Sequence, residues 1–232
     1  MTRSQTFANG GAATARGVAT RARIIAAASQ LVAEHGVTGT RLDDIMRASG
    51  TSKSQIYHYF ADRDALICAV VEAQSEGVLA FQGSCLSQIR SLEDLRAWRD
   101  KIVEISRSKR GVGGCPIGSL ASELADRSET AREALARSFA RWESQIACAL
   151  RVMQRAGELS PMADIPELAI GIVSALQGGL LLAQTARTTR PLEIALDMAL
   201  GHVNRYAASV RKPEGRVMRK PPGRSSKAGT AI

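Results

Sequence analysis

Apolar residues recur along this 232-residue chain at spacings of three and four, from Ile24 to near Val210, and no segment reads as a strand. That spacing gathers apolar side chains on one stripe of a helix, so the expected fold class is all-α. Ile24, Ile25, Ala28, Leu31, Val32 and His35 form the first stripe, closed by Gly36 where a C-terminal glycine cap belongs. A second helix is expected from Thr40, with Asp43 as an acidic capping-box partner, a buried face of Leu42, Ile45, Met46 and Ser49, and a stop at Gly50. Ser52 with Gln55 marks a third start, with Ile56 and Phe60 facing inward. A fourth helix opens near Asp62 and buries Leu66, Ile67, Val70, Val71 and Val78. Further stripes are Leu92, Leu95, Trp98, Ile102, Ile105 and then Leu135, Phe139, Trp142, Ile146, Ala149, Met153. A break from Gly157 to Pro166 precedes a helix over 165–186, and Pro191 opens a last one ending near Val210.

Composition sets outer limits. Hydrophobic residues make up 45% of the chain, which excludes a wholly disordered one. No run of eighteen apolar residues occurs and the first twenty residues hold no secretory stretch, so a cytoplasmic protein without a membrane span is expected. Cys68, Cys85, Cys115 and Cys148 form no CxxC pair, and read as free thiols, most of them buried as small apolar residues. The net charge of +9 is unevenly placed. Four arginines (Arg3, Arg16, Arg21, Arg23) without an acid in 1–23, and seven basic residues against Glu214 in 211–232, leave residues 24–210 at −1. Residues 1–19 read as a flexible basic arm and 211–232 as a disordered basic tail.

Leu42 to Phe60 has the pattern helix, glycine turn, helix. In a helix-turn-helix the second helix enters the major groove, and its first residues meet bases and phosphates. With Ile56 and Phe60 inward, Ser54, Gln55 and His58 turn outward, Tyr57 and Tyr59 flank them, and Lys53 stands in the first turn. That face is rich in donors and free of acids. Three small helices packed on Ile25, Leu42 and Phe60 would explain the apolar pattern, but not an exposed Tyr-His-Tyr beside a lysine.

The same residues resemble the DNA-binding domain of the TetR family of transcriptional regulators. The likeness runs without a gap from Thr20 to Ala73, through His35-Gly36, Thr40, Ala48-Ser49-Gly50, Ser52-Lys53, Tyr57-His58-Tyr59-Phe60 and Ala65-Leu66. It implies DNA contacts from Thr40, Ser52, Lys53, Ser54, Gln55, Tyr57, His58 and Arg63. Ser54 and Arg63 stand where the family more often has glycine and lysine; the arginine keeps the charge but offers a fork instead of a point. An N-terminal arm can lie along phosphates or a minor groove, or merely solubilise.

Gly171, Ala175, Gly179 and Ala183 recur every four residues in the 165–186 segment. Glycine inside a helix costs about 1 kcal/mol against alanine, so close approach of another helix is expected, from the same chain or from a second copy. The segment also resembles the penultimate helix of TetR-family regulators, which builds a four-helix dimer interface; with Leu180, these residues are then the expected homodimer contacts. Gly111 to Leu124 is similar to a segment of some family members that helps enclose a small-molecule pocket. The resemblance implies an effector site among Trp98, Ile102, Cys115, Ile117, Leu124, Phe139, Trp142 and Gln177, and an apolar or aromatic effector. Cys115, after a glycine-rich turn at a helix start, allows either thiol sensing or ordinary packing.

The expected organisation is thus an arm (1–19), a helix-turn-helix domain (20–66), a helical effector-binding and dimerisation domain (67–210) and a tail (211–232). The expected partners are double-stranded operator DNA, a small-molecule effector and a second copy, with no cofactor. No catalytic or metal-ligand constellation is visible. An architectural protein that coats DNA without an effector is the alternative, and the near-neutral body opposes it.

Overall fold

Six of the nine helix starts among the described residues carry a side chain that accepts from an orphan backbone N–H group. In the computed structural model, which describes residues 14–207, those residues form α1 (Ala15–Gly39), α2 (Leu42–Ser49), α3 (Lys53–Tyr59), α4 (Arg63–Leu86), α5 (Leu92–Ser108), α6 (Pro116–Leu124), α7 (Glu129–Arg155), α8 (Ile165–Ala186) and α9 (Arg190–Asn204). Asp62 Oδ1 accepts from Ala65 N at 2.7 Å to start α4, and Ser91 and Asp94 form a reciprocal box at α5. Proline occupies the first turn of α6, α8 and α9, where its missing N–H costs nothing. Among the described residues the only strand-like pairing is an isolated bridge between Leu159 and Ala207.

Three boundaries differ from expectation. The segment 1–19 is not all arm, because α1 begins at Ala15, where the Thr14 hydroxyl accepts from Gly17 N at 3.2 Å. Residues 1–13 and the basic tail lie outside the described residues. Thr40 does not start α2: its hydroxyl donates to Gly36 O at 2.7 Å, and Arg41 takes the cap position without a side-chain bond. The last helix stops at Asn204, short of Val210, because Tyr206 O accepts from Ser160 N at 2.7 Å and ties the chain to the α7–α8 loop.

The core runs continuously through both ends of the molecule. Ile24, Ala28, Ile45, Ile56 and Phe60 close the small end formed by α1, α2 and α3. Above it α4 packs on α1 and α7, α7 on α8, and α8 most extensively on α9, while α6 touches α1, α4 and α7. Only Cys115 of the four thiols is buried; Cys68 and Cys85 are half-buried and Cys148 is exposed. The expectation that most are buried fails at the half-buried Cys68 and Cys85 and at Cys148, which falls opposite Trp142, Ile146 and Ala149, the buried stripe of α7. By length and composition α8 is apolar enough to cross a membrane. One side of it is spent on α7 and α9, leaving Ile170, Leu181 and Leu182 exposed.

Candidate nucleic-acid interface and ligand cavity

Gly50 ends α2 in the left-handed conformation (φ 63°), which permits a short turn into α3. Ser52 Oγ accepts from Gln55 N at 3.3 Å, and Gln55 Oε1 accepts from Ser52 N at 2.9 Å. Burial of Ile56 and Phe60 fixes the rotation of α3, which leaves Ser52, Lys53, Ser54, Gln55, Tyr57 and His58 exposed on one continuous surface. The capping box occupies Gln55's carbonyl and leaves its amide N–H₂ free, and Ser54 Oγ lies 3.0 Å from Ser52 Oγ. Tyr59 turns instead toward α1, its hydroxyl 3.5 Å from where a Cβ at Gly17 would lie, and its ring meets that of its α3 neighbour His58 edge-on at 4.9 Å. Arg21 lies over Phe60 at 5.2 Å and Arg23 donates to Ser49 O at 2.8 Å, so these two N-terminal arginines brace the three-helix unit.

Two of the expected DNA contacts are spent elsewhere. Thr40 is 2% exposed and its hydroxyl is bonded, so its side chain does not reach the surface. Arg63 is exposed, yet one Nη donates to Val37 O at 2.8 Å and Thr40 O at 3.1 Å. Both belong to a joint. At Gly36 (φ 71°) α1 breaks, and the freed Val37 N and Thr38 N donate to Glu123 Oε2 of α6 at 2.8 and 3.4 Å. Arg127 adds a bond to Thr38 Oγ1 at 3.3 Å. The opposite end of α6, Cys115 and Pro116, lines a cavity of about 320 Å³ between α4, α5 and α8. A single nine-residue helix therefore reaches from that cavity to the joint beside the helix-turn-helix.

The cavity walls are mainly Val78, Phe81, Ile102, Ile105, Leu176 and Leu180, with the polar groups Gln82, Ser106 and Lys109. Of the expected effector residues, Ile102 and Cys115 line it. Trp98 stands one layer behind and donates from Nε1 to Gln82 Oε1 at 3.0 Å. Ile117 is fully buried core; Leu124 lines a separate crevice at the α1–α4–α6 joint. Phe139 and Trp142 lie on α7, away from the cavity, and Trp142 is buried with its Nε1 unpaired among the described residues. Gln177 lies on the far side of Cys115, donating to its Sγ at 3.4 Å. Leu180, expected at a dimer contact, faces the cavity. Among the described residues no group of three His, Cys, Asp or Glu is placed to hold a metal ion.

Two family descriptions match this chain: "Bacterial regulatory proteins, tetR family" over residues 24–70, and "Transcriptional regulator LmrA/YxaF-like, C-terminal domain" over 91–198. The uncharacterized HTH-type transcriptional regulator in the lacX 3′ region of Lactococcus lactis subsp. lactis is 30% identical over 184 residues, 77% of this chain and 90% of that one. The chain belongs to the TetR family of transcriptional regulators. Within that family, LmrA of Bacillus subtilis is 27% identical over 178 residues, 74% of this chain and 90% of its own. A TetR transcriptional regulator from Chloroflexus aurantiacus superposes with a TM-score of 0.71 at 27% identity, covering 84% of this chain and 98% of that chain.

For this TetR-family chain the sequence reading missed Gln82 and Ser106. Gln82 extends the buried α4 stripe of Ser75, Leu79 and Leu86. A glutamine on an apolar stripe was the available signal. The small-residue stripe of α8 also divides. A Cβ at Gly179 would lie 2.9 Å from Leu192 Cα, and Ala183 is 1% exposed with its carbonyl against Gly111, so both serve packing within the chain. Gly171 and Ala175 border a groove shared with Met198 and His202 of α9.

Proposed function

We propose that this chain is a ligand-responsive repressor that binds a two-fold-symmetric DNA operator as a homodimer. The observation that carries the reading is the exposed, acid-free face of α3, on which Lys53, Ser54, Gln55, Tyr57 and His58 project from a helix locked in rotation by Ile56 and Phe60. Donors at a helix N-terminus suit phosphates and base edges. Helices α1 to α3 make the DNA-reading unit, and Arg63 acts from the joint with its remaining N–H groups. Thr40 is left out of the contact set.

One short recognition helix reads too few bases for tight specific binding, and two at a fixed spacing read a palindrome. The second copy is accommodated by the outer face of α8 and α9. Ile170, Leu181 and Leu182 are 51, 63 and 57% exposed there, with Ile194 at 43% and Met198 at 72%. Exposed Gly178, on the same face, has no atom within 4 Å of a would-be Cβ. An apolar surface of this kind on two adjacent helices suits a four-helix contact. Small molecules enter the α4–α5–α8 cavity, and α6 transmits their arrival to the joint through Glu123. Such a regulator works in the cytoplasm, with the DNA.

Selection from a random DNA pool, followed by anisotropy titration and light scattering at physiological salt, tests the reading. The expected result is a dimer that binds an inverted repeat at about 10⁻⁸ M or tighter, at least about a thousandfold over scrambled DNA. Equal binding to all sequences with a steep salt slope would overturn it in favour of a DNA-coating protein.

A further inference from the structure

Two largely buried residues, Gln82 and Ser106, each turn a hydrogen-bond donor without a protein partner toward the cavity, and these donors bear on the chemistry of its ligand. Gln82 is 5% and Ser106 is 7% exposed, and both line the cavity. The indole N–H of Trp98 only donates, so the atom of Gln82 that faces it at 3.0 Å must be the carbonyl oxygen. This fixes the amide: Nε2 is left on the other side, with no hydrogen-bond partner among the described residues. Two buried helical serines, Ser49 and Ser138, donate to the carbonyl four residues earlier at 2.7 and 2.9 Å, whereas Ser75, away from the cavity, and Ser106, on its wall, do not. Ser106 Oγ has no partner among the described residues either. Neither atom is sealed from solvent, so each is a donor that a ligand acceptor can take over from water, and a ligand without an acceptor forfeits both bonds.

The remaining lining decides the rest of the ligand. The walls are aliphatic apart from Phe81, over which Lys101 Nζ sits at 5.4 Å from the ring centroid. Among the described residues no Asp or Glu lines the cavity, and its one charged lining group is the exposed Lys109. A cation would find no counter-charge there and would meet an ammonium.

We propose that the cavity selects a non-cationic, mainly apolar small molecule bearing a carbonyl-type oxygen, which accepts from Gln82 Nε2 and Ser106 Oγ. This rests on the ligand-responsive reading above and narrows it to a chemical class. Trp98 acts as a positioning residue, since it holds the amide with its donor turned into the cavity.

Three bicyclic probes of nearly equal shape test it by calorimetry on the full chain: 1-tetralone with the oxygen, tetralin without it, and 1-aminotetralin as the cation. The expected result is 1-tetralone binding about tenfold or more tighter than tetralin, with no binding of the amine. Ser106→Ala should shrink that ratio to within about threefold and Gln82→Met should do the same. The serine substitution leaves the Trp98 bond untouched, so the test survives if the Gln82 variant does not fold. Tetralin binding as tightly as the ketone, a ratio that survives Ser106→Ala, preference for the amine, or binding of none of the three would overturn the proposal. Release of a selected operator is followed in parallel. Selective ketone binding without DNA release would keep the ligand class and overturn ligand responsiveness. Release driven by tetralin alone would do the reverse.

Discussion

Thr40 shows how a residue-level rule can be outbid by a neighbour. A threonine three residues before an acid satisfies the local pattern of a helix cap, but the carbonyl freed where α1 breaks at Gly36 lies within 2.7 Å and takes the hydroxyl. Thr40→Val should therefore cost about 1 kcal/mol in urea unfolding, from loss of a buried hydrogen bond, and leave the DNA affinity of the folded protein within about twofold. Tyr57 is the opposite case, 44% exposed with its ring free of the core. Tyr57→Ala and Lys53→Ala should each weaken operator binding by about tenfold or more, consistent with loss of about 1–3 kcal/mol per contact. Their circular dichroism should match that of the parent; a loss of helicity would show that these side chains support the fold instead. The family resemblance implies Trp98 as a pocket residue, and the structure places it just behind the wall. There its single N–H donates to Gln82 Oε1, a partner that the equally buried Trp142 lacks among the described residues.

Helix identity was visible along nearly the whole chain because caps and apolar spacing agree, as at Ser52-Gln55 for α3 and Asp62 for α4. What spacing alone left open was the partner of each face. Gly171, Ala175, Gly179 and Ala183 share one period, yet α9 packs against only the later part of it, and a four-residue repeat drifts round a 3.6-residue helix. Gly179→Leu should thus destabilise each chain by about 1–3 kcal/mol through overpacking against Leu192, seen as a lower unfolding midpoint at every protein concentration. Leu181→Glu combined with Met198→Glu should instead give monomers of unchanged helicity in light scattering, with operator binding lost. Dimers from that double variant would remove the outer α8–α9 face as the contact surface.

Ion pairs at the scale of the whole molecule link α5 to α9: Arg99 with Asp197 at 2.9 Å and Arg107 with Glu193 at 3.2 Å. The Thr189 hydroxyl, and then Arg107, hold the Glu193 carboxyl below its ordinary value of 4.5. A carboxyl whose folded value is depressed contributes stability that is complete at neutral pH and fades as pH falls through 4.5 and below. The unfolding temperature should stay level from pH 7 to 5 and drop beneath about pH 4.5, with a shallower drop in Glu193→Gln. A pH-independent unfolding temperature would show that this link contributes nothing. Such long-range pairs could not be read from the sequence, since nothing local matches Arg107 to a carboxylate 86 positions away. The joint at Gly36 is the same kind of non-local feature, and it limits how this molecule can be rebuilt. An L-residue at position 36 would be strained at φ 71°, and its Cβ would meet Glu123 Oε1 at 2.9 Å, displacing the carboxylate that caps Val37. A hybrid that borrows another protein's DNA-reading head must therefore keep a glycine and a carboxylate facing each other across the graft, or the seam between head and body will lose its cap.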